Sequence, residues 1–438
     1  MHKYAPPRRI WDLYANRVVP WWVARRYDWA ISHAWVANNH LKYEMTLING
    51  YQWPVPMPKD ADLDRIRIEM LNLGAVYVWL DVLCLRQVGQ GEDPRGNPSQ
   101  EEWDRREALR KEEWKVDVPT IGWVYHSAQH VACYLSGLGL PLRFQCPEDF
   151  YDERCWFNRA WTLQETVYNL SVAGRTAKKG IADEMFLTGR TKLFLLIELA
   201  TLEHERMGME PPGQKLLHLL KEMKERKSSK PVDKVAGLVF LLQLKHIPIY
   251  DAVQSEEDAW AELLNVADER LRTMFLFWYP KPKGNGSWRP SWKQLMTETF
   301  PYLPYMFQKF DNLPGVYWTN TEGDSFYGPR MEGCHVRGLA DESRNRRLGT
   351  IHVEDISGVK RVFWIFANHA CPIPDGEYTV LCVLRQRIMR RTELFFVVGK
   401  VQGTERKFRK VSVVSTIDRK TRSIRKLHLS SPTKTFLF

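Results

Sequence analysis

Several features that would assign this chain to a large protein class are missing. No apolar run approaches the roughly 20 residues that cross a bilayer. The runs that exist, such as Leu193–Leu196 and Leu238–Leu242, are far shorter, and Met1–Ile10 carries no apolar signal core. Neither a membrane span nor secretion is expected. The 7 cysteines are odd in number and none sits in a C-x-x-C pair, which argues against a disulfide framework and against a four-cysteine zinc site. A reducing, cytoplasmic setting fits. The phosphate-cradling patterns G-x-G-x-x-G and G-x-x-x-x-G-K-[ST] are absent, as is the G-x-S-x-G elbow of serine hydrolases. His126 and His130 stand four apart, but no Glu follows His126, so loop histidines are favoured over a metal pair.

What the sequence does hold is enough chain for two or three domains: 438 residues, 44% hydrophobic and 26% charged. Its net charge of +11 is localised, because residues 331–438 carry 21 Lys and Arg against 10 Asp and Glu while residues 1–330 carry 42 of each. A basic module on a neutral body suggests an acidic partner, or simply a soluble module with a cationic face. Lys407, Arg409 and Lys410 before Val411–Val414, and Arg385, Arg387, Arg390 and Arg391 beside another strand, are expected to form a cationic patch. Weak, salt-sensitive binding of nucleic acid or anionic lipid would follow, with a protein partner an equal alternative.

Short apolar runs alternate with longer helical patterns over the first half. Trp29–Trp35, Val76–Leu80, His130–Ser136 and Leu170–Ala173 read as strands, and Glu101–His126 and Cys155–Tyr168 as helices. That alternation predicts an α/β fold with a mostly parallel sheet and helices on its faces. Thr191–Arg206, Pro212–Arg226, Asp233–Leu244 and Glu256–Phe277 have helical periodicity. Gly89–Gln100 reads as a surface loop, and Tyr279–Trp292, dense in Pro and Gly, as a boundary region. His352–Ile356, Arg361–Asn368, Tyr378–Leu384, Glu393–Val401 and Lys407–Ile417 predict an antiparallel β domain, with a hairpin at Gly403. The expected division is residues 1–24, 25–175, 176–278, 279–330 and 331–438.

Four segments in order carry a likeness to a known family. They are Ile31-Ser32-His33-Ala34-Trp35, Val78-Trp79-Leu80-Asp81-Val82-Leu83-Cys84-Leu85-Arg86-Gln87, Ile121-Gly122-Trp123-Val124-Tyr125 with Val131-Ala132-Cys133-Tyr134-Leu135, and Arg159-Ala160-Trp161-Thr162-Leu163-Gln164-Glu165. Together they resemble the fungal heterokaryon-incompatibility (HET) domain over residues 25–175, with Val36 where the family commonly has glycine and His33 where it commonly has an aromatic. HET domains are similar to Toll/interleukin-1 receptor (TIR) domains, so the resemblance implies a flavodoxin-like sheet. It also implies a role in self/non-self recognition or regulated cell death. Some TIR domains cleave NAD at the nicotinamide glycosidic bond, with a catalytic glutamate four residues after a tryptophan on a helix. Trp161 and Glu165 have that spacing.

The resemblance therefore implies Glu165 as a catalytic carboxylate and NAD as a substrate, with no resident cofactor or metal required. A carboxylate suits the oxocarbenium-like centre of N-glycosidic cleavage. Trp35 and Trp161 could stack on the bases, His33 and Arg159 could contact phosphates, and Ser32, Asp81 and Cys84 would complete the edge. Glu165, Asp81, Cys84 and the tryptophans have plainer alternatives. Thr162 and Glu165 fit a capping box or Glu165 a structural ion pair; Asp81 fits a turn cap, Cys84 a small buried hydrophobe, and the tryptophans core. The alternative to catalysis is a signalling scaffold acting by self-association or recruitment of other signalling proteins.

Overall fold

The computed structural model describes residues 4–88, 95–96, 98–142, 152, 155–165, 170–174, 212–284, 288–303, 315–319, 323–341, 345–354, 357–386, 392–404, 406–418 and 432–438. The expected helix Thr191–Arg206 and most of the loop Gly89–Gln100 lie outside them. The chain divides into two compact units, Met1–Met209 with Lys221–Ala259, and Glu210–Leu220 with Trp260–Phe438.

The first unit is built on a mixed six-stranded sheet. Its strands are β1 (Arg9–Asp12), β2 (Arg17–Pro20), β3 (Trp29–His33), β6 (Tyr77–Leu80), β7 (His130–Tyr134) and β8 (Leu170–Val172), in the spatial order β2-β1-β6-β3-β7-β8. Strands β6, β3, β7 and β8 are mutually parallel, while the β1–β2 hairpin adds an antiparallel edge. All residues of β3 are buried, so both faces of the sheet are covered there. From β3 the chain crosses first to β6 on one side and then to β7 on the other. The strand order thus reverses at β3, the place where open α/β sheets leave a crevice at their carboxyl ends. A separate hairpin joins β4 (Leu41–Glu44) to β5 (Val55–Pro58).

Local chemistry sets the helix ends. Asp62 caps Leu63–Asn72 by accepting from Asp64 N at 2.7 Å, and Ser99 caps Gln100–Asp117 by accepting from Glu102 N at 3.2 Å. The single helix expected over Glu101–His126 is two, Gln100–Asp117 and Ile121–Ser127. Gly122 begins the second against Phe240: an added Cβ would sit 2.4 Å from the Phe240 ring and 2.7 Å from Gln164 Oε1. Gly122→Ala should therefore cost about 2–3 kcal/mol by overpacking, read as a shift of the urea midpoint with an unchanged slope.

The second unit carries the antiparallel β structure. Strands β11 (Arg330–Arg337), β12 (Arg347–Glu354), β13 (Lys360–Ala367), β16 (Lys407–Asp418), β15 (Thr392–Gln402) and β14 (Gly376–Gln386) close into a barrel in that order. Inward residues such as Val336, Ile351, Ile365, Val380, Phe396 and Val414 form its core. The β15–β16 hairpin turns at Gly403, whose φ of +75° suits glycine. Beside the barrel, β9 (Gly315–Thr319), β10 (Gly323–Gly328) and β17 (Thr433–Phe436) form a small sheet. The Pro/Gly stretch Tyr279–Trp292 lies inside this unit, where Tyr279, Trp288 and Trp292 are buried. Glu256–Phe277 is interrupted because Asp268 caps a new helix, Glu269–Trp278, accepting from Leu271 N at 2.8 Å. No helix among the described residues is long and apolar enough to cross a membrane.

Candidate functional site

The carboxyl ends of β3 and β6 deliver Ser32, His33 and Asp81 to one place, and a later turn brings Glu165 to them. The segment expected to be one helix, Cys155–Tyr168, is instead two 3-10 turns over its described part, Trp156–Asn158 and Trp161–Gln164, with Glu165 just after the second. Backbone pairing fixes this path: Ala160 N donates to Lys227 O at 2.8 Å and Lys227 N to Asn158 O at 2.6 Å. Thr162 Oγ1 lies 2.7 Å from Trp156 O and accepts from Arg226 Nη1 at 3.0 Å. Its hydroxyl therefore holds the turn together and does not cap a helix with Glu165.

Ser32 links the parts. Its Oγ donates to Glu165 Oε2 and accepts from Trp156 Nε1 at 2.6 Å. Tyr125 approaches Glu165 as well, while its hydroxyl proton goes to Ile31 O at 3.0 Å. Next to this group, His33 Nε2 lies 2.8 Å from Asp81 Oδ1, and Trp35 Nε1 donates to Asp81 Oδ2 at 3.0 Å. Asp81 Oδ1 also accepts from Val82 N at 2.7 Å. The aspartate thus acts both as the turn cap and as the partner of His33.

Burial governs the electrostatics. Ser32 is fully enclosed, and His33 and Glu165 are each 6% exposed. Burial pushes the Glu165 carboxyl up to about 7, with the Ser32 hydrogen bond opposing and the nearby Asp81 charge adding to the shift. For His33, burial disfavours the charge, but Asp81 outweighs it and the imidazole is shifted upward. A carboxyl near neutrality beside a histidine and a second carboxylate can take or give a proton close to physiological pH.

Other residues of the expected set go elsewhere. Cys84 is buried and its thiol is pushed up to about 12, chiefly by burial, the signature of a packed hydrophobe. Arg159 donates to Ser229 Oγ at 2.9 Å. The Trp161 ring lies 6.3 Å from that of Tyr250, facing Asp233 instead of Glu165. With no helix between them, the four-residue spacing of Trp161 and Glu165 does not align their side chains. Trp35 reaches the cluster through its indole N–H to Asp81. Sequence reasoning missed Trp156 and treated Tyr125 only as part of a motif. Tyr125 closes the Ile121–Tyr125 segment and could have been found there; Trp156 leaves no comparable signal.

Asp81→Asn is expected to lower the His33 midpoint and to destabilise the protein by about 2 kcal/mol, since a charge-assisted acceptor is lost. NMR titration of the imidazole and urea denaturation would read the two effects separately. Among the described residues no group of His, Cys, Asp and Glu is arranged to hold a metal ion. No family model, curated protein or solved structure matches this chain.

Proposed function

We propose that the first unit is a HET-type, TIR-like effector domain whose site at the carboxyl edge of the parallel strands cleaves the nicotinamide glycosidic bond of NAD. The observation that carries this reading is the enclosed Glu165 carboxyl, held by Ser32 beside the His33–Asp81 pair at the strand-order reversal. The spatial order β6-β3-β7-β8, in which the parallel strands come along the chain as β3, β6, β7 and β8, supports the flavodoxin-like ancestry. In the reaction, Glu165 as carboxylate would stabilise positive charge growing at the ribose C1′ and take a proton from the attacking water. Nicotinamide leaves neutral, and ADP-ribose is the second product. Self/non-self recognition or regulated cell death in a fungal cytoplasm is the biological role this reading carries.

A second reading is favoured by one observation: Glu165 at 6% exposure is nearly closed to solvent. The same cluster would then be a polar keystone of a non-enzymatic domain that signals by self-association or partner recruitment. The test incubates purified full-length protein with NAD at low and high protein concentration and detects nicotinamide directly. Release that rises more than proportionally with protein supports an enzyme activated by assembly. Concentration-dependent association with no nicotinamide at any dose supports the scaffold.

A further inference from the structure

We propose that the outer face of the β11–β12–β13 strip of the barrel is a platform for single-stranded nucleic acid. The inference is independent of the NAD reading, since every residue it uses belongs to the second unit.

Strand alternation sorts the side chains of this strip. Phe363, Ile365 and Ala367 point into the barrel core, leaving Val362, Trp364 and Phe366 on the outside. Across the ladder, Trp364 pairs with Thr350 and Thr350 with Arg337; Val362 pairs with His352 and His352 with His335; Phe366 pairs with Leu348. The rows therefore place an exposed tryptophan two strands from an arginine. Trp364 is 62% exposed, an unusual state for so large an aromatic. Phe366, two residues on, lies with the Arg346 guanidinium 5.5 Å from its ring centre. Same-face neighbours on a strand stand about 6.8 Å apart, so Trp364 offers an open stacking surface with the half-buried Phe366 and the Arg346 guanidinium over it one step along the strand, within reach of the next nucleotide.

Charge selects the partner. Arg337 and Arg346 flank the aromatics, and residues 331–438 carry the chain's whole excess of positive charge. The acidic groups on and beside the strip have basic neighbours of their own: Glu354 is 4.0 Å from Lys360, Glu332 is 3.1 Å from Arg330 and 3.2 Å from Arg406, and the neighbouring strand's Glu377 is 3.9 Å from His335. An exposed indole face between two arginines favours a polyanion with flat, unpaired bases over a protein partner. A duplex, whose bases are stacked inside, cannot use the tryptophan.

The test is fluorescence anisotropy of the full chain with a labelled oligouridylate of about 15 nucleotides, and with a hairpin duplex of equal length, at about 50 and about 200 mM salt. The wild type should prefer the single strand. Trp364→Ala should weaken it roughly tenfold or more, and Trp364→Phe should restore most of the loss. Arg337→Ala with Arg346→Ala should lower the salt slope by about 1.4, two phosphates' worth. A charge-matched control, Lys400→Ala with Arg409→Ala, alters a cross-strand pair on β15–β16 and should leave the Trp364 effect in place. Absence of binding at low salt, preference for the duplex, or equal binding by wild type and Trp364→Ala would each overturn the proposal.

Discussion

Replacing Glu165 by glutamine should cut nicotinamide release by about a hundred- to a thousandfold and leave a folded protein. The substitution keeps the shape and the contact with Ser32 but removes the charge. Its effect on stability has a definite sign. The Glu165 carboxyl moves from its ordinary 4.5 to about 7 on folding, chiefly through burial. The folded state therefore holds more protons than the unfolded one across that window, and stability falls as pH rises from about 4.5 to about 7. His33, also shifted upward on folding, contributes in the same direction: its share is present at low pH and lost as pH rises through its folded value. The variant loses the Glu165 share. It should match or exceed the wild type in melting temperature at about pH 8, and its pH dependence should be flatter. A variant that unfolds more readily at every pH would mean that the carboxylate is required for the fold.

The largest loss of stability is expected at Lys410. The sequence places it in a surface patch with Lys407 and Arg409, yet it is only 5% exposed. Its Nζ donates to Leu276 O at 2.6 Å, Phe275 O at 3.2 Å and Trp288 O at 3.4 Å. Phe275 and Leu276 belong to the last turn of Glu269–Trp278; Phe275 O also accepts from Tyr279 N at 3.3 Å, whereas the residue four after Leu276 is Pro280, which has no N–H to give. Burial pushes the Lys410 amine well below its ordinary value, while its N–H groups face carbonyls at the negative end of the helix dipole. Lys410→Met keeps the stem but takes the lysine donor from Leu276 O and Trp288 O, while Phe275 O keeps Tyr279 N, so a loss of about 3 kcal/mol is expected, read as a lower urea midpoint. A change within about 0.5 kcal/mol would mean that water replaces the ammonium at no cost.

How much of this was legible in the sequence depends on the length scale of the signal. The parallel strands were legible because short apolar runs are bounded by polar segments, and Trp29–His33, Tyr77–Leu80, His130–Tyr134 and Leu170–Val172 fall where expected. The β1–β2 hairpin was not, since Arg9–Asp12 and Arg17–Pro20 each begin and end on a charged residue or proline and hold only two apolar residues apiece between them. The meeting of Ser32 and Asp81 followed from strand ends, a topological property that survives errors in local structure, whereas the place of Glu165 came only from the resemblance. The expected alignment of Trp161 with Glu165 was not legible because it required a helix, and tertiary pairing with Lys227 replaces that helix by 3-10 turns. Lys410 was misplaced for a similar reason: strand alternation alone does not reveal that a helix covers the outer face of β16 there.

The most direct test of the proposed chemistry is the pH profile of nicotinamide release from NAD by concentrated wild-type protein. If Glu165 works as a carboxylate, the rate should climb with pH and level off with an apparent midpoint near 7, the value to which burial raises that group. In Glu165→Gln the residual rate should show no such step. Nicotinamide release that is absent at every pH, or that is flat between about pH 5 and about pH 8, would contradict the assignment of Glu165 as the working group.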